Sequence, residues 1–327
     1  MKVVVTDYIE PDLAWEEKQI SALGGTLEVH QMKAAAASEL AKILSDADIA
    51  IVNMARIDSR VLAEMKKCKL IIRHGVGYDN IDIGAATERG IQVGYVPDYC
   101  ADEVAEQTMM LLLTTYRKFG RQIESMRSSV EKGEWDFSAV DGVKRVRGKK
   151  GGLIGCGRIG SRVLQMMRSF GLEVLVCDPY LSRQRQEELK VEPLPLESVI
   201  SEADLISLHC SLDRETRHLI GEKELSMMKR DAVLVNTARG PLIDAEALSR
   251  ACKEGRIAGA GIDVFESEPP RKGFGLIGLE NVILTPHLSW YSEDAAWEIR
   301  RKIVEDVERF VQGKPPRFPL NKVVVNG

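Results

Sequence analysis

Gly155-Cys156-Gly157-Arg158-Ile159-Gly160 is the stretch whose reading decides the fold, with Asp178 eighteen residues past its last glycine. Gly152-Leu153-Ile154 before it reads as a short buried strand. Ser161 to Phe170 after it carries Val163, Leu164, Met167 and Phe170 at helical spacing, and Glu173 to Cys177 is a second apolar run that ends on the acid. Strand, glycine turn, helix, strand and acid make the context of a dinucleotide fingerprint. Gly155 would permit the tight turn, Gly157 the approach of a pyrophosphate, and Gly160 close packing of helix on sheet. The helix N-terminus, at Arg158 and Ile159, would offer N–H groups and a partial positive charge to the phosphates. Asp178 would accept from the ribose hydroxyls and repel a 2′-phosphate, which selects NAD over NADP.

Working outward, the first hundred residues alternate strand and helix. Strands are expected at Val3–Thr6, Ile49–Val52, Leu70–Arg73 and Gln92–Val96. Helices are expected at Trp15–Leu23, Ser38–Ser45 (Ser38 as N-cap) and Ser59–Lys67. Asp102–Arg117 reads as a long amphipathic helix and Trp135–Arg147 as a basic loop. After the fingerprint come strand-like runs at Leu205–Leu208, Ala232–Val235, Ala260–Val264 and Val282–Leu284, then a last helix at Asp294–Val311. Sequential βα units of this kind predict an α/β protein of two Rossmann-like or flavodoxin-like domains, each a doubly wound parallel sheet.

The chain has 327 residues, 44% hydrophobic and 29% charged, with net charge −4. That is room for two cores and gives no basic footprint for nucleic acid. No apolar run reaches the length of a membrane span, and the N-terminus reads as a strand rather than a leader. The six cysteines are scattered singly without a CxxC. They read as reduced, packed side chains of a cytoplasmic protein, with no metal site.

Ligands on open α/β sheets sit beyond the carboxyl ends of the strands. Arg239 follows one strand end, Glu268 another and His287 a third. Hydride transfer with a 2-hydroxy acid needs that set: a guanidinium to grip the carboxylate, a histidine to hold the hydroxyl proton, and a carboxylate to steady the imidazolium. The bland alternatives are a surface arginine, an acidic loop and a packed histidine. His74 and His209 are placed near the substrate or cofactor groove, and His30 and His218 on the surface.

Gly75-Val76-Gly77-Tyr78-Asp79-Asn80-Ile81-Asp82, Glu106-Gln107-Thr108, the glycine fingerprint, Leu234–Gly240, Gly261–Pro269 and Thr285-Pro286-His287 resemble the D-isomer-specific 2-hydroxyacid dehydrogenases over essentially the whole chain. The resemblance implies Arg239, Glu268 and His287 as catalytic residues. It places Val76, Thr108, Gly155, Gly157, Arg158, Ile159, Gly160, Asp178, His209, Cys210, Thr216, Thr237, Ala238, Arg239, Asp263, His287 and Trp290 around NAD, with Asp263 facing the nicotinamide amide. Arg73, Val76, Gly77, Arg239 and Trp290 would meet the substrate, a small 2-hydroxy or 2-oxo acid.

The resemblance also implies a cofactor domain, residues 99–286, inserted into a substrate domain, residues 1–98 and 287–327, and a homodimer to which the helix from Asp102 contributes. Asp178–Ser182, Leu208-His209-Cys210 and His287–Glu293 are similar to the C-terminal binding proteins, NAD(H)-binding corepressors that keep a dehydrogenase site. Val76 stands where those proteins carry a serine. The expectation is a compact enzyme of that branch, with a cofactor-sensing binding protein or a D-3-phosphoglycerate dehydrogenase as alternatives. Formate oxidation is disfavoured by Glu268.

Overall fold

The computed structural model describes residues 1–136 and 138–323. Contacts divide the chain into two units, Met1–Cys100 with Ser292–Gly327, and Ala101–Tyr291.

The first unit contains β1 (Lys2–Val5), β2 (Thr26–Val29), β3 (Ile49–Val52), β4 (Leu70–Arg73) and β5 (Gln92–Tyr95). They form one sheet in the order β2-β1-β3-β4-β5, each pair parallel. Helices cover both faces, so the central strands are near-continuous apolar runs rather than alternating ones. Val4, Ala50, Val52, Ile71 and Val93 pack with Leu40, Leu44 and Leu62 on one side. Val3, Val5, Ile49, Ile51, Leu70 and Ile72 pack on the other with Ile20 and with Ile299, Ile303 and Val307. The last three belong to the helix Glu293–Val311, so the C-terminal segment completes the core that the N-terminal segment begins.

Two local expectations change. Thr26–Val29, unassigned from sequence, is an edge strand, and its mixed polarity follows from partial exposure. Ser38 is not an N-cap: the helix Ala37–Leu44 starts one residue earlier, and the Ala36 N–H donates to Glu39 Oε2 at 3.1 Å.

The second unit contains β6 (Lys150–Ile154), β7 (Glu173–Cys177), β8 (Leu205–Leu208), β9 (Val233–Asn236), β10 (Gly259–Ile262) and β11 (Val282–Leu284). All pair in parallel, in the order β11-β10-β9-β8-β6-β7. The order reverses between β6 and β8, the point at which a doubly wound sheet opens a crevice. The helix Ala101–Tyr116 buries Leu111 and Leu112 in the same core as Val163 and Leu164 of the helix Arg158–Ser169. Phe119–Lys132, unassigned from sequence, is a further helix. The second unit ends at Tyr291 rather than at residue 286. The physical reason is Asp263: its carbonyl accepts from the His287 N–H at 2.8 Å, and its carboxylate accepts from the N–H groups of Leu288 and Ser289 at 3.1 and 2.9 Å.

Candidate active site

Three glycines shape the turn between β6 and the helix Arg158–Ser169, each differently. Gly155 has φ +88°, and a Cβ there would lie 2.6 Å from the backbone of His209 and Cys210. A Cβ on Gly160 would lie 2.3 Å from the Gly155 carbonyl oxygen. These two are glycine because neighbouring backbone leaves no space. Gly157 is the N-cap, and a Cβ there would meet nothing within 4 Å. Gly157 and Arg158 are exposed and Ile159 is half-buried. An exposed helix N-terminus beside an unfilled glycine suits a pyrophosphate.

Asp178 closes the loop. Its Oδ2 accepts from the Cys156 N–H at 2.8 Å and its Oδ1 from the Tyr180 N–H at 3.0 Å. Each oxygen keeps a second lone pair for a ribose hydroxyl. His209 Nε2 lies 2.7 Å from Ser207 Oγ. Desolvation holds its imidazole down at about 3, so His209 is neutral. Burial pushes the Cys210 thiol up to about 12, which makes it unreactive. The Thr216 hydroxyl serves its own loop, donating to the Ser211 carbonyl and accepting from the Asp213 N–H, both at 2.8 Å.

At the end of β9, Asn236 is fully buried. Its Nδ2 donates to the Arg239 carbonyl at 2.8 Å and its Oδ1 accepts from the Ala238 N–H at 3.0 Å. This side chain shapes the Thr237-Ala238-Arg239 turn. Thr108 and Thr237 hydroxyls lie 2.8 Å apart. Thr108 donates to the Val104 carbonyl at 2.7 Å, so the shared hydrogen is Thr237's. A Cβ on Gly240 would stand 2.0 Å from the Phe265 carbonyl carbon, which brings the Arg239 turn against the loop that carries Glu268.

His287 and Glu268 form the pair expected of an acid–base device. His287 Nδ1 is 2.8 Å from Glu268 Oε2, with the two side chains 33% and 29% exposed. Glu268 Oε1 accepts from the Phe265 N–H at 3.1 Å, which fixes the carboxylate. Burial draws the Glu268 carboxyl upward, but the hydrogen bond and charge of His287, the Phe265 N–H and the Arg239 charge outweigh it. The net shift is downward, so Glu268 is anionic. With Nδ1 engaged, Nε2 is the nitrogen left to exchange a proton with a bound molecule. His287 holds a left-handed backbone, φ 55°, set by the Asp263 contacts on either side of it.

Asp263, expected toward the nicotinamide amide, also anchors the loop of His287. It is 0% exposed. Besides the Leu288 and Ser289 N–H groups, it accepts from the Thr285 and Ser289 hydroxyls, both at 2.5 Å. Four donors fill the carboxylate, and its task in this structure is to hold the histidine loop. Asn236, Thr285 and Ser289 had no role assigned from sequence. Their signal is faint, since a polar residue one or two positions beyond a strand end looks like any loop residue. Trp290 is half-buried beside Tyr291, ring centroids 5.3 Å apart. Arg73 ends β4, and Val76 and Gly77 lie just past it, all in the first unit. There the Arg73 guanidinium donates to the His74 carbonyl and Gly75 takes φ +146°.

Residues 109–289 match the family model of the D-isomer specific 2-hydroxyacid dehydrogenase NAD binding domain. The chain is 38% identical to a glyoxylate reductase of Korarchaeum cryptofilum, over 82% of this chain and 81% of that one. It is 37% identical to a D-3-phosphoglycerate dehydrogenase of Methanocaldococcus jannaschii over 96% of its own length, but spans only 58% of that longer protein. Among solved structures, D-lactate dehydrogenase of Aquifex aeolicus, complexed with NAD and lactic acid, superposes with a TM-score of 0.84 at 30% identity, covering 95% of this chain and 96% of that one.

Proposed function

The chain belongs to the D-isomer-specific 2-hydroxyacid dehydrogenase family, and from that premise we propose that it is an NAD-dependent 2-oxoacid reductase, the reverse reaction being oxidation of a D-2-hydroxy acid. The observation that carries the proposal is the His287 Nδ1–Glu268 Oε2 contact of 2.8 Å, in the same unit as the open Gly157 turn.

Bound NADH supplies the hydride that goes to the carbonyl carbon. His287 gives the proton from Nε2 to the carbonyl oxygen as that oxygen gains charge. Glu268 holds the ring by Nδ1 and compensates the charge of its protonated form. Arg239 holds the substrate carboxylate and draws on the carbonyl oxygen. The Thr108–Thr237 pair and Asn236 keep the Arg239 turn in place. We assign the backbone near Val76 and Gly77 to the substrate carboxylate, and Arg73 and Trp290 to the substrate pocket, with Trp290 toward the tail. An indole there favours an apolar or thioether tail over a phosphorylated one.

Two features support a homodimer. Phe119, Ile123, Met126 and Val130 are 39–70% exposed at helical spacing along one stripe of the helix Phe119–Lys132, and Trp135 beyond it is 78% exposed. A second copy of the chain would bury that stripe. All six cysteines are thiols, which supports a reducing compartment, the cytoplasm.

The test is oxidation of NADH against a panel of 2-oxoacids that differ in tail. Turnover with at least one acid is expected. A folded protein that binds NADH and reduces none of them would contradict the proposal. It would favour instead a cofactor-sensing binding role like that of the C-terminal binding proteins, which the His287–Glu293 segment resembles.

A further inference from the structure

The loop from His74 to Asn80 is tied at both ends and open in the middle. At its start the His74 N–H donates to the Val52 carbonyl at 2.8 Å, and the Gly75 carbonyl accepts from the Val96 N–H at 3.2 Å. At its far end the Asn80 side chain donates to the Asn53 and Ala55 carbonyls at 3.0 and 2.9 Å, and the Asn80 carbonyl accepts from the Ile57 N–H at 2.9 Å. Between these ties the N–H groups of Val76 and Gly77 have no acceptor among the described residues, and both residues are half-buried. Two successive amides without acceptors suit a carboxylate, the role assigned to them above.

A further tie acts on His74 through its side chain. Its Nε2 lies 3.1 Å from Glu10 Oε1, with both side chains 7% exposed. Glu10 stands in the loop after β1, where its Oε2 accepts from the Ile9 N–H at 3.0 Å. The carboxylate that meets His74 is therefore itself held. The His74 carbonyl accepts from the Arg73 guanidinium. A Cβ on Gly75 would lie 2.5 Å from Arg73 Nη1, so the guanidinium packs against the same peptide. Backbone, Arg73 and Glu10 thus fix the chain immediately before Val76.

A buried carboxylate–imidazole contact adds little net stability, because desolvation of both partners offsets their attraction. Its value is geometric. With one partner gone the other is buried alone, and the segment that carries it shifts toward water or a new partner. The segment that would shift here is the one that leads into the Val76 and Gly77 amides.

We propose, on the reductase reading above, that Glu10 is a positioning residue for substrate: through His74 it sets the Val76 and Gly77 amides where a 2-oxoacid carboxylate meets them. The test is steady-state kinetics at saturating NADH, with the 2-oxoacid that wild type reduces fastest, for Glu10→Ala, His74→Phe and the double variant. Each single variant should raise KM for the 2-oxoacid by about tenfold and keep kcat within about threefold of wild type, since the carboxylate is held alike in ground and transition states. The double variant should be no worse than the worse single one, because both changes break the same contact. Glu10→Gln keeps an acceptor for the imidazole and should raise KM by a smaller factor, about threefold, which preserves the test if Glu10→Ala does not fold. A purely structural contact would instead lower the folded fraction, which reduces apparent kcat and leaves KM unchanged. Unchanged KM in the folded Glu10 variants, or KM effects that add in the double variant, would overturn the proposal and leave the reductase reading standing. A wild-type protein that reduces no 2-oxoacid would overturn both.

Discussion

The two units share a winding but fill their crevices differently. In the first, the order reverses between β1 and β3; in the second, between β6 and β8. At the first reversal stands Asp7, 2% exposed. Its carboxylate accepts from the N–H groups of Met54 and Ala55 at 2.7 and 3.1 Å and from the Thr6 hydroxyl at 2.8 Å. At the second stands a glycine turn whose middle glycine faces open space. One sheet thus satisfies the N–H groups at its reversal with its own anion. The other leaves them for an anion that arrives. Topology sets where a nucleotide phosphate can bind, and one side chain decides whether the place is open.

The comparison breaks first at Gly155. Valine there needs φ +88° and sets a Cβ 2.6 Å from the His209–Cys210 backbone. About 3–5 kcal/mol of stability should be lost in denaturant titration, and NADH binding with it. Asp7→Ala empties the filled crevice and strands two amide donors; the expected loss is about 2–4 kcal/mol, with NADH affinity unchanged in the molecules that remain folded. If this variant instead bound NADH at a second site, the first crevice would differ from the second only by its plug.

The same unit carries a pH-dependent contact. Glu10 Oε1 lies 3.1 Å from His74 Nε2, both side chains 7% exposed. Burial raises the Glu10 carboxyl, but the hydrogen bond and charge of His74 outweigh it and bring it down to about 2. A folded value below the unfolded one means that the stabilisation is complete above about 4.5 and fades as pH falls toward 2. Glu10→Gln should cost on the order of 1–3 kcal/mol above that window, and thermal melts of wild type and variant should converge below it. Gly157→Ala is the gentlest change. With no atom within 4 Å to meet the new Cβ, stability should move by less than about 1 kcal/mol, while NADH affinity falls by about tenfold because the methyl stands in the phosphate's approach.

Parallel sheets made much of this readable in the sequence. Ile49–Val52, Leu70–Arg73 and Leu205–Leu208 are strands with the bounds their apolar runs suggest, because central strands buried on both faces leave uninterrupted hydrophobic runs; the edge strands Glu173–Cys177 and Val282–Leu284 also have the bounds of their apolar runs. Thr26–Val29 was hidden because Thr26 and Glu28 break its apolar run, which partial exposure at the edge allows. Phe119–Lys132 was hidden because its apolar stripe faces out of its own chain, so no core marks it. In the site, glycines and strand-end acids could be read because their chemistry is scarce. The role of Asn236 and the anchoring bonds of Asp263 could not be read, because they join backbone groups that come together only in the fold.

In the proposed function the open crevice serves a reaction whose proton passes through His287. The direct measurement is steady-state NADH oxidation by His287→Ala, with the 2-oxoacid that wild type reduces fastest, alongside fluorescence titration of NADH. In this variant kcat should fall by about 10²–10⁴-fold, with NADH affinity within about twofold of wild type. Undiminished turnover by this variant would contradict it.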